Sequence, residues 1–416
     1  MKILFSNPPW WQITERSLLK RKWDCGVRGG SRWPHICTSK YFPGYFRPGE
    51  YLTYPFFMGF ACTYLKNSIG DAAVVEFRDS IALRETYGSY YRHLKKVKYD
   101  FIFIETSQPS FKHDSEVIRQ IHQIQPEAKI IICGPVVAEK AAETLNSLPV
   151  TAAIKGEYEK GCVRVVNGET GIIDFDFLSQ DEMNSAPFPY YSKQYAHRYM
   201  DACPTGQLYP QAQVLSSRGC PFKCIFCSWP ATMTSNDPDG KQKRTVRYYK
   251  EDYLESFLGE LKEKYKYKCI YFDDDTFNLG DKHVAEVCHV MRKIQLPWSA
   301  MCRADTSSLS MWQEMRDSGC FGVKLGFESG CQDVIDNIVM KNLDLEKARE
   351  AVLEIHKLGM SVHGTFSYGL PGETQEQMQQ TYEYIRSLPF DTYQESTIES
   401  QGGTPLDSIL GHNINE

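Results

Sequence analysis

The chain has 416 residues, a net charge of −5, and ordinary proportions of hydrophobic (42%) and charged (24%) residues. This length exceeds one hydrophobic core and predicts two domains, and the negative charge gives no general attraction for nucleic acid. The first apolar run is too short for a signal peptide and no apolar stretch is long enough to cross a membrane, so we expect a cytoplasmic protein without a membrane span.

Residues 1–160 alternate short apolar runs with longer helical patterns, which predicts an α/β domain with a doubly wound, Rossmann-like parallel sheet. The predicted strands are residues 2–6, 73–77, 101–105, 129–133 and 152–154. Ligands bind at the carboxyl ends of the strands in such sheets, so the loops there form the expected binding rim. Small residues in these loops, such as Gly134 and Gly156, either permit close approach of a large planar ligand or simply make turns.

A second series of strands and helices follows a linker, which we place at residues 161–209 because acidic residues and the run Pro187-Phe188-Pro189 interrupt the pattern. Six strand–helix units then predict a partial (β/α)6 TIM-type barrel over residues 210–410, with a tail at residues 411–416. The predicted strands are residues 213–216, 269–272, 298–302, 322–326, 361–367 and 392–397. The predicted helices include residues 251–264, 282–294, 344–358 and 375–388.

Three cysteines, Cys220, Cys224 and Cys227, follow the first predicted barrel strand with the spacing C-x3-C-x2-C. Soft thiolates select zinc or an iron–sulfur cluster, and a structural zinc would normally recruit a fourth Cys or His nearby. No fourth ligand follows at close range in the sequence, which favours a 4Fe-4S cluster with one iron open to a further ligand. The alternative is three buried or disulfide-bonded cysteines that are close by chance.

The cysteine spacing resembles that of the radical S-adenosylmethionine (radical SAM) enzymes. The resemblance implies that the amino and carboxylate groups of S-adenosylmethionine (SAM) chelate the open iron, and that one electron from the cluster releases a 5′-deoxyadenosyl radical. Residues that match SAM-binding positions of this family are Phe226, Asp274, Arg303, Glu328, Gly369 and Pro371. The alternatives are a divalent metal at Asp273–Asp275, interdomain salt bridges for the charged residues, and a simple turn around Gly369.

The order of the rim loops, followed by the cysteine loop, resembles the cobalamin-binding domain that precedes the barrel in one class of radical SAM enzymes. The cobalamin contacts that this resemblance implies are Asn7, Pro8, Trp10, Thr106, Ser107, Ser110, Gly134, Pro135, Gly156 and Glu157. The D-x-H-x-x-G motif that supplies a histidine to cobalt in other cobalamin proteins is missing, because Glu286 stands where a match beginning at Asp281 would need glycine. We therefore predict cobalamin without a histidine ligand on cobalt.

These resemblances together imply an enzyme that transfers a methyl group from methylcobalamin to a substrate carbon radical generated by the adenosyl radical. The alternatives are a radical SAM enzyme of the same architecture that catalyses cyclisation, rearrangement or hydroxylation, and a protein that senses cobalamin. We expect a small-molecule or peptide substrate and an electron donor such as flavodoxin or ferredoxin. Many members of this class continue into a further substrate-binding domain, so the sequence leaves the identity of the substrate open.

Replacing Cys220, Cys224 or Cys227 by Ala is expected to abolish the cluster, because each thiolate would hold one iron. Iron and sulfide content, together with 5′-deoxyadenosine formed from SAM under reducing conditions, should fall to background in all three variants. Cys288→Ala, outside the array, is the control and should retain both. Retained cleavage of SAM in any of the three variants would refute this site.

Overall fold

The computed structural model describes residues 1–16, 21–25, 37–39, 45–46, 52–201, 208–227, 245–398 and 404–410. The described residues divide into two compact units. The first contains residues 1–16, 21–25 and 52–198, and the second contains residues 37–39, 45–46, 199–201, 208–227, 245–398 and 404–410. The first unit thus runs past residue 160, and a short N-terminal segment belongs to the second unit.

The first unit is built on a six-stranded parallel sheet. Its strands are β1 (Lys2–Asn7), β2 (Val74–Asp79), β3 (Phe101–Glu105), β4 (Lys129–Cys133), β5 (Ala152–Ile154) and β6 (Gly171–Ile173). They lie in the order β2-β1-β3-β4-β5-β6, so the strand order reverses between β1 and β3. This is the predicted doubly wound fold, and the reversal marks the switch point at which such sheets bind ligands.

Helices cover the first sheet, and their apolar residues recur at helical spacing. They are α1 (Phe56–Ile69), α2 (Ser80–Leu83), α3 (Tyr87–Lys96), α4 (Phe111–Ile124), α5 (Val137–Ser147), α6 (Glu159–Val166) and α7 (Gln180–Ser185). Leu94 of α3 and Ile118 and Ile121 of α4 share one buried cluster with Ile102 of β3 and Ile130 of β4. Burial of these faces against the sheet holds the unit together.

A glycine brings the loops after β3 and β4 into contact. Gly134 has a φ of +113°, and a Cβ there would lie 2.0 Å from the backbone oxygen of Thr106. The Thr106 N–H donates to the Cys133 oxygen at 2.9 Å. A side chain at residue 134 would force these two rim loops apart, so glycine is required here.

The second unit contains six parallel strands that are neighbours in chain order. They are β7 (Gln211–Val214), β8 (Cys269–Phe272), β9 (Trp298–Cys302), β10 (Cys320–Glu328), β11 (Ser361–Tyr368) and β12 (Thr392–Thr397). The helices are α8 (Glu251–Glu263), α9 (Asp281–Ile294), α10 (Leu309–Asp317), α11 (Leu345–Lys357), α12 (Gln375–Ser387) and α13 (Pro405–Leu410). This arrangement is the predicted partial (β/α)6 barrel.

Two short strands from the N-terminal part of the chain extend this second sheet. Residues 37–39 pair antiparallel with β12, and residues 45–46 pair antiparallel with residues 37–39. The sequence did not predict these strands, because the segment lies within the residues that we assigned to the first domain.

One face of the second sheet is apolar and packs against helices. On β10, Val323, Leu325 and Phe327 occupy alternate positions and are fully buried. Phe327 stacks on Phe366 of β11 and contacts the ring of Tyr384 in α12. The alternation therefore directs this set of residues towards the helix layer.

The opposite face of the same strands carries polar residues. Lys324 of β10 is buried, and its ammonium pairs with Asp201 at 3.2 Å. Lys324 lies opposite His363 of β11, and His363 lies opposite Thr392 of β12, so a polar row crosses three strands. The inner face of this barrel is thus polar, although the strands are buried.

The differences from the sequence prediction fall where apolar runs are short or absent. β7 occupies residues 211–214 instead of 213–216, and its glutamines Gln211 and Gln213 are buried. β6 was not predicted because it has three residues and only Ile173 is buried, and α10 was not among the predicted helices. Over the described residues, no helix combines the length and hydropathy that crossing a membrane requires.

Candidate functional site

The three cysteines of the array follow β7 in a loop whose described part ends at Cys227. None of the three forms a disulfide bond, and Cys220 is buried while Cys224 and Cys227 are partly buried. The Cys227 N–H donates to the Cys224 oxygen at 3.1 Å, which makes a tight turn. In the described part of the chain, no three His, Cys, Asp or Glu side chains converge on the position of a single metal ion. The cysteines of a 4Fe-4S cluster bind separate irons, so their sulfurs need not meet at one point.

Asp274, after β8, holds the start of the cysteine loop. Its Oδ1 accepts hydrogen bonds from the N–H groups of Ser216 and Ser217 at 3.0 and 2.5 Å, and from their hydroxyls at 2.9 and 2.6 Å. The Ser216 hydroxyl also lies 2.9 Å from Nε2 of the buried His283. Because an ionised carboxylate only accepts hydrogen bonds, it satisfies several donors at once.

The next two residues continue this contact along the loop. Asp275 Oδ2 accepts from the Gly219 N–H at 3.0 Å, and Thr276 Oγ1 lies 3.4 Å from Cys220 Sγ. Gly219 has a φ of +99°, and a Cβ there would lie 2.3 Å from the backbone oxygen of Thr245. We name the contacts of Asp274–Thr276 with residues 216–220 the 274–276 clamp.

The clamp gives Asp274 and Asp275 structural partners. The carboxylate of Asp274 is directed at the backbone of the cysteine loop, and one oxygen of Asp275 is directed at the same loop. The metal alternative for Asp273–Asp275 therefore lacks the converging carboxylates that it requires. Contact between Asp274 and SAM stays a prediction, and the geometry favours an indirect role through the loop.

Arg303, at the end of β9, also supports the cysteine loop. Its guanidinium forms a bidentate pair with Asp305, at 2.5 and 3.0 Å. It donates to the backbone oxygens of Lys341 and Asn342 at 2.9 and 2.7 Å. Its charged centre lies 3.8 Å from the centre of the Phe222 ring. Most of its N–H groups are thus used within the fold, and its predicted contact with SAM is not tested by these bonds.

Glu328, at the end of β10, forms an ion pair that the sequence did not predict. Lys341 Nζ donates to Glu328 Oε1 at 2.9 Å, and about a tenth of each side chain is exposed. Glu328 has a φ of +69°, and Met340 and Asn342, on either side of the lysine, have φ values of +56° and +51°. Left-handed backbone at three residues with side chains costs energy, and such strain concentrates at functional sites.

This ion pair lies beside the cysteine loop. Burial raises the pKa of the Cys224 thiol, the positive charge of Lys341 lowers it, Glu328 raises it, and Arg303 lowers it. The Ile225 N–H donates to the Val339 oxygen at 3.1 Å, which joins the loop to the segment that carries Lys341. Three charged groups, from the ends of β9 and β10 and from residues 339–342, therefore act electrostatically on the second cysteine.

Three of the predicted SAM-binding residues, Phe226, Gly369 and Pro371, also lie close to one another. Phe226 packs against the buried cluster of Cys331, Val334, Val339 and Leu370. Gly369 and Pro371 flank Leu370, and Gly369 has a φ of +75°. Glu373 Oε2 accepts the N–H groups of Gly369 and Leu370 at 2.8 and 3.2 Å. Glu373 thus closes the turn that contains Gly369, which agrees with the alternative of a simple turn. The turn contacts the cysteine loop because Leu370 packs near Phe226.

In the first unit, the predicted cobalamin residues lie at the carboxyl ends of the strands. Asn7 ends β1 and is followed by Pro8 and Trp10, Thr106, Ser107 and Ser110 follow β3, Gly134 and Pro135 follow β4, and Gly156 and Glu157 follow β5. The Thr106 and Ser110 hydroxyls donate to the buried Asp114 at 2.9 and 2.6 Å. The hydroxyls of Ser107 and Ser110 lie 3.0 Å apart. Hydrogen bonds among its own side chains and to Asp114 therefore hold the loop after β3 in place. The switch point between β1 and β3 lies beside this loop.

The histidine nearest to this rim has partners in the fold. His113 lies on α4, and its Nε2 is 3.2 Å from the Tyr87 hydroxyl and 3.3 Å from the Pro9 oxygen. These contacts join α4 to the loop after β1. They give His113 a structural role in the first unit.

The sequence of the second unit matches a known family. Residues 214–385 match the radical SAM superfamily. The match begins at the end of β7, spans the cysteine loop and ends within α12. The second unit is therefore a radical SAM domain, and the prediction that the chain is a radical SAM enzyme is confirmed. A 4Fe-4S cluster and SAM are the cofactors that define this class.

Several proteins of known name resemble this chain. The uncharacterized methyltransferase PH0819 of Pyrococcus horikoshii is 25% identical over 366 residues, which cover 82% of this chain and 76% of that protein. Cytidylyl-2-hydroxyethylphosphonate methyltransferase of Streptomyces wedmorensis is 29% identical over 232 residues, which cover 51% of this chain and 40% of that enzyme. The chain thus spans less than half of the second relative.

Two solved structures share the fold over nearly the whole chain. The radical SAM methyltransferase TsrM from Kitasatospora setae has a TM-score of 0.67 at 13% identity, and covers 97% of this chain and 75% of its own. TsrM has also been solved with cobalamin and a 4Fe-4S cluster bound. The cobalamin-dependent radical enzyme OxsB has a TM-score of 0.63 at 14% identity, and covers 99% of this chain and 60% of its own. These similarities confirm the predicted combination of folds.

Asp274 should give the stability of the cluster-free protein a defined dependence on pH. Burial raises its pKa from 3.8 to about 6, although hydrogen bonds from Ser217 and Ser216 act in the opposite direction. The folded state therefore holds a proton between about pH 4 and 6 that the unfolded state releases, so stability falls as the pH rises through that window. Because one pKa unit corresponds to 1.36 kcal/mol, this loss is at most about 3 kcal/mol.

Urea unfolding of the wild type and of Asp274→Asn at about pH 4, 5, 6 and 7 measures this effect. The variant should lack the loss, and Asp317→Asn, at an exposed carboxylate, should keep the wild-type profile. Parallel profiles for the wild type and Asp274→Asn would show that this carboxyl does not titrate in the window.

Proposed function

We propose that this chain is a cobalamin-dependent radical SAM enzyme that transfers a methyl group to a carbon atom of its substrate. The observation that carries the proposal is the presence, in one chain, of a doubly wound sheet and a radical SAM domain. TsrM and OxsB have the same fold over almost the whole of this chain, and the two relatives described above are named methyltransferases. These similarities support cobalamin as the second cofactor.

The cysteine loop suits a 4Fe-4S cluster. It offers three cysteine thiols within eight residues, and the 274–276 clamp, Arg303 and residues 339–342 fix its backbone. We assign Cys220, Cys224 and Cys227 as the cluster ligands. When bound, the cluster supplies one electron, SAM supplies the adenosyl group and the methyl group, and cobalamin carries the methyl group.

The pair of Glu328 and Lys341 suits the methionine part of SAM. That part carries one ammonium and one carboxylate, and the ion pair presents the two complementary charges beside Cys224. Both side chains are mostly buried, which strengthens charge interactions and excludes water. We assign Glu328 and Lys341 to bind SAM and Arg303 to position the loop. Phe226, Gly369 and Pro371 form the surface that we assign to the adenine.

The rim of the first unit suits cobalamin. The backbone turns at Gly134 and Gly156 have φ values of +113° and +76°, so no side chains project from these two positions over the rim. The hydroxyls after β3 are bonded within their own loop, so that loop would present a fixed surface to a large planar ligand. We therefore assign the predicted rim residues, from Asn7 to Glu157, to cobalamin contact. We propose no histidine ligand to cobalt.

Lys341→Met should weaken SAM binding, because it removes the ammonium and leaves the Glu328 carboxylate without its cation. A hydrogen bond to a charged group is worth about 1.5–3 kcal/mol, so the KM for SAM in 5′-deoxyadenosine formation should rise about tenfold or more. Lys341→Arg should be affected less. Lys347→Met, which alters an exposed lysine of α11, is the control. An unchanged KM in a Lys341→Met protein with normal iron content would exclude this role.

The proposed function is tested by analysing protein prepared without oxygen in the presence of iron, sulfide and cobalamin. Metal analysis should find close to one cobalt per chain, and the assay with candidate substrates should form S-adenosylhomocysteine together with 5′-deoxyadenosine. Formation of 5′-deoxyadenosine alone would favour the non-methylating alternative. Absence of cobalt would overturn the assignment of the first unit, and absence of SAM cleavage would favour a sensor.

A further inference from the structure

Thr276 is the member of the 274–276 clamp that touches a predicted cluster ligand. Its side chain is buried, and its Oγ1 lies 3.4 Å from Cys220 Sγ and 2.7 Å from the backbone oxygen of Asp275. Both distances are within hydrogen-bond range, since contacts to sulfur are longer than those to oxygen. The hydroxyl therefore has two possible acceptors and only one proton to donate.

The position of this proton depends on the state of Cys220. In the protein without a cluster, the thiol can donate to Thr276 Oγ1 while the hydroxyl donates to the Asp275 oxygen. A cysteine sulfur bound to iron carries no proton, so it can only accept. Rotation of the Thr276 hydroxyl about its C–O bond then directs the proton at the sulfur, and no heavy atom needs to move.

A hydrogen bond to a ligand sulfur affects the reduction potential of a cluster. The reduced cluster carries one more negative charge than the oxidised cluster, so a donor at the sulfur stabilises the reduced form more. Thr276 and Cys220 are both buried, where such an interaction is strengthened by the low dielectric constant. Unlike a backbone N–H, this donor can be removed by a substitution that keeps the shape of the side chain.

We propose that the Thr276 hydroxyl donates to the Cys220 sulfur in the cluster-bound enzyme and raises the reduction potential of the cluster. Thr276 is then a positioning residue that sets how strong a reductant the enzyme needs. The inference rests on the assignment of Cys220 as a cluster ligand, and it does not depend on cobalamin or on methyl transfer.

The test is a redox titration of the cluster in the full chain, followed by electron paramagnetic resonance. Thr276→Val should shift the midpoint potential to a more negative value. The expected change is about a tenfold fall in the ratio of reduced to oxidised cluster at a given potential, which corresponds to about 59 mV for one electron. Thr276→Ser keeps the hydroxyl and should resemble the wild type.

Thr306→Val is the matched control. Its hydroxyl donates to the Arg303 backbone oxygen at 3.2 Å in the same unit, and its removal should leave the midpoint unchanged. If the Val variant holds no iron, Thr276→Ala replaces it, with the same expected shift. Equal midpoints in the wild type and the hydroxyl-free variants, or loss of the cluster from both variants, would overturn the proposal. A wild-type protein without iron and sulfide would instead overturn the assignment of Cys220.

Discussion

The position of the cysteine loop depends on the hydrogen bonds that tie it to the end of β8. β7 lies at the edge of the described sheet and pairs with β8 alone. The clamp joins the loop after this edge strand to the end of β8, so it transfers the position of β8 to the first cysteine. Aspartate suits this task because one ionised carboxylate accepts hydrogen bonds from two backbone N–H groups and two hydroxyls together.

The loop is held from other sides as well. Arg303 stacks on Phe222, the Ile225 N–H bonds to Val339, and the Leu406 N–H bonds to the Ile225 oxygen. These contacts come from the end of β9, from the segment before Lys341 and from α13. A cluster that exchanges electrons benefits from such a frame, because little rearrangement then accompanies the change of charge. The charged residues around Cys224 thus serve the shape of the site as well as its electrostatics.

The sequence predicted the fold well where burial is continuous. β3, β4, β8 and β9 coincide with their predicted residues, because strands covered on both faces are recognisable as apolar runs. The predicted range of β7 was two residues too late, because two of its buried residues are glutamines and the strand is not a continuous apolar run. The cysteine array was recognisable because its three members are close together in the sequence. Lys341 was missed because it lies in a loop thirteen residues after Glu328, and only the left-handed turns around it bring the two together.

The hydrogen-bond partners of Asp274 could not be predicted from the sequence, for a different reason. Three neighbouring carboxylates at a strand end predict a polar site. Their spacing in the sequence does not specify which N–H and O–H groups donate hydrogen bonds to each of them. The pairing of residues 37–39 with β12 was equally hidden, because no periodicity connects segments that lie so far apart in the chain.

That pairing has a consequence for how the protein is made. Ser39 lies opposite Thr392, which is 353 residues later. At about 5–20 residues per second, a ribosome needs roughly 20–70 s to synthesise the intervening chain. During that time residues 37–39 lack the strand with which they pair, β12, and without residues 37–39 this edge of β12 would be bare. The second sheet is therefore completed by a segment that is synthesised before any of its six parallel strands. A fragment that starts at the barrel would lack the strand that covers its last edge.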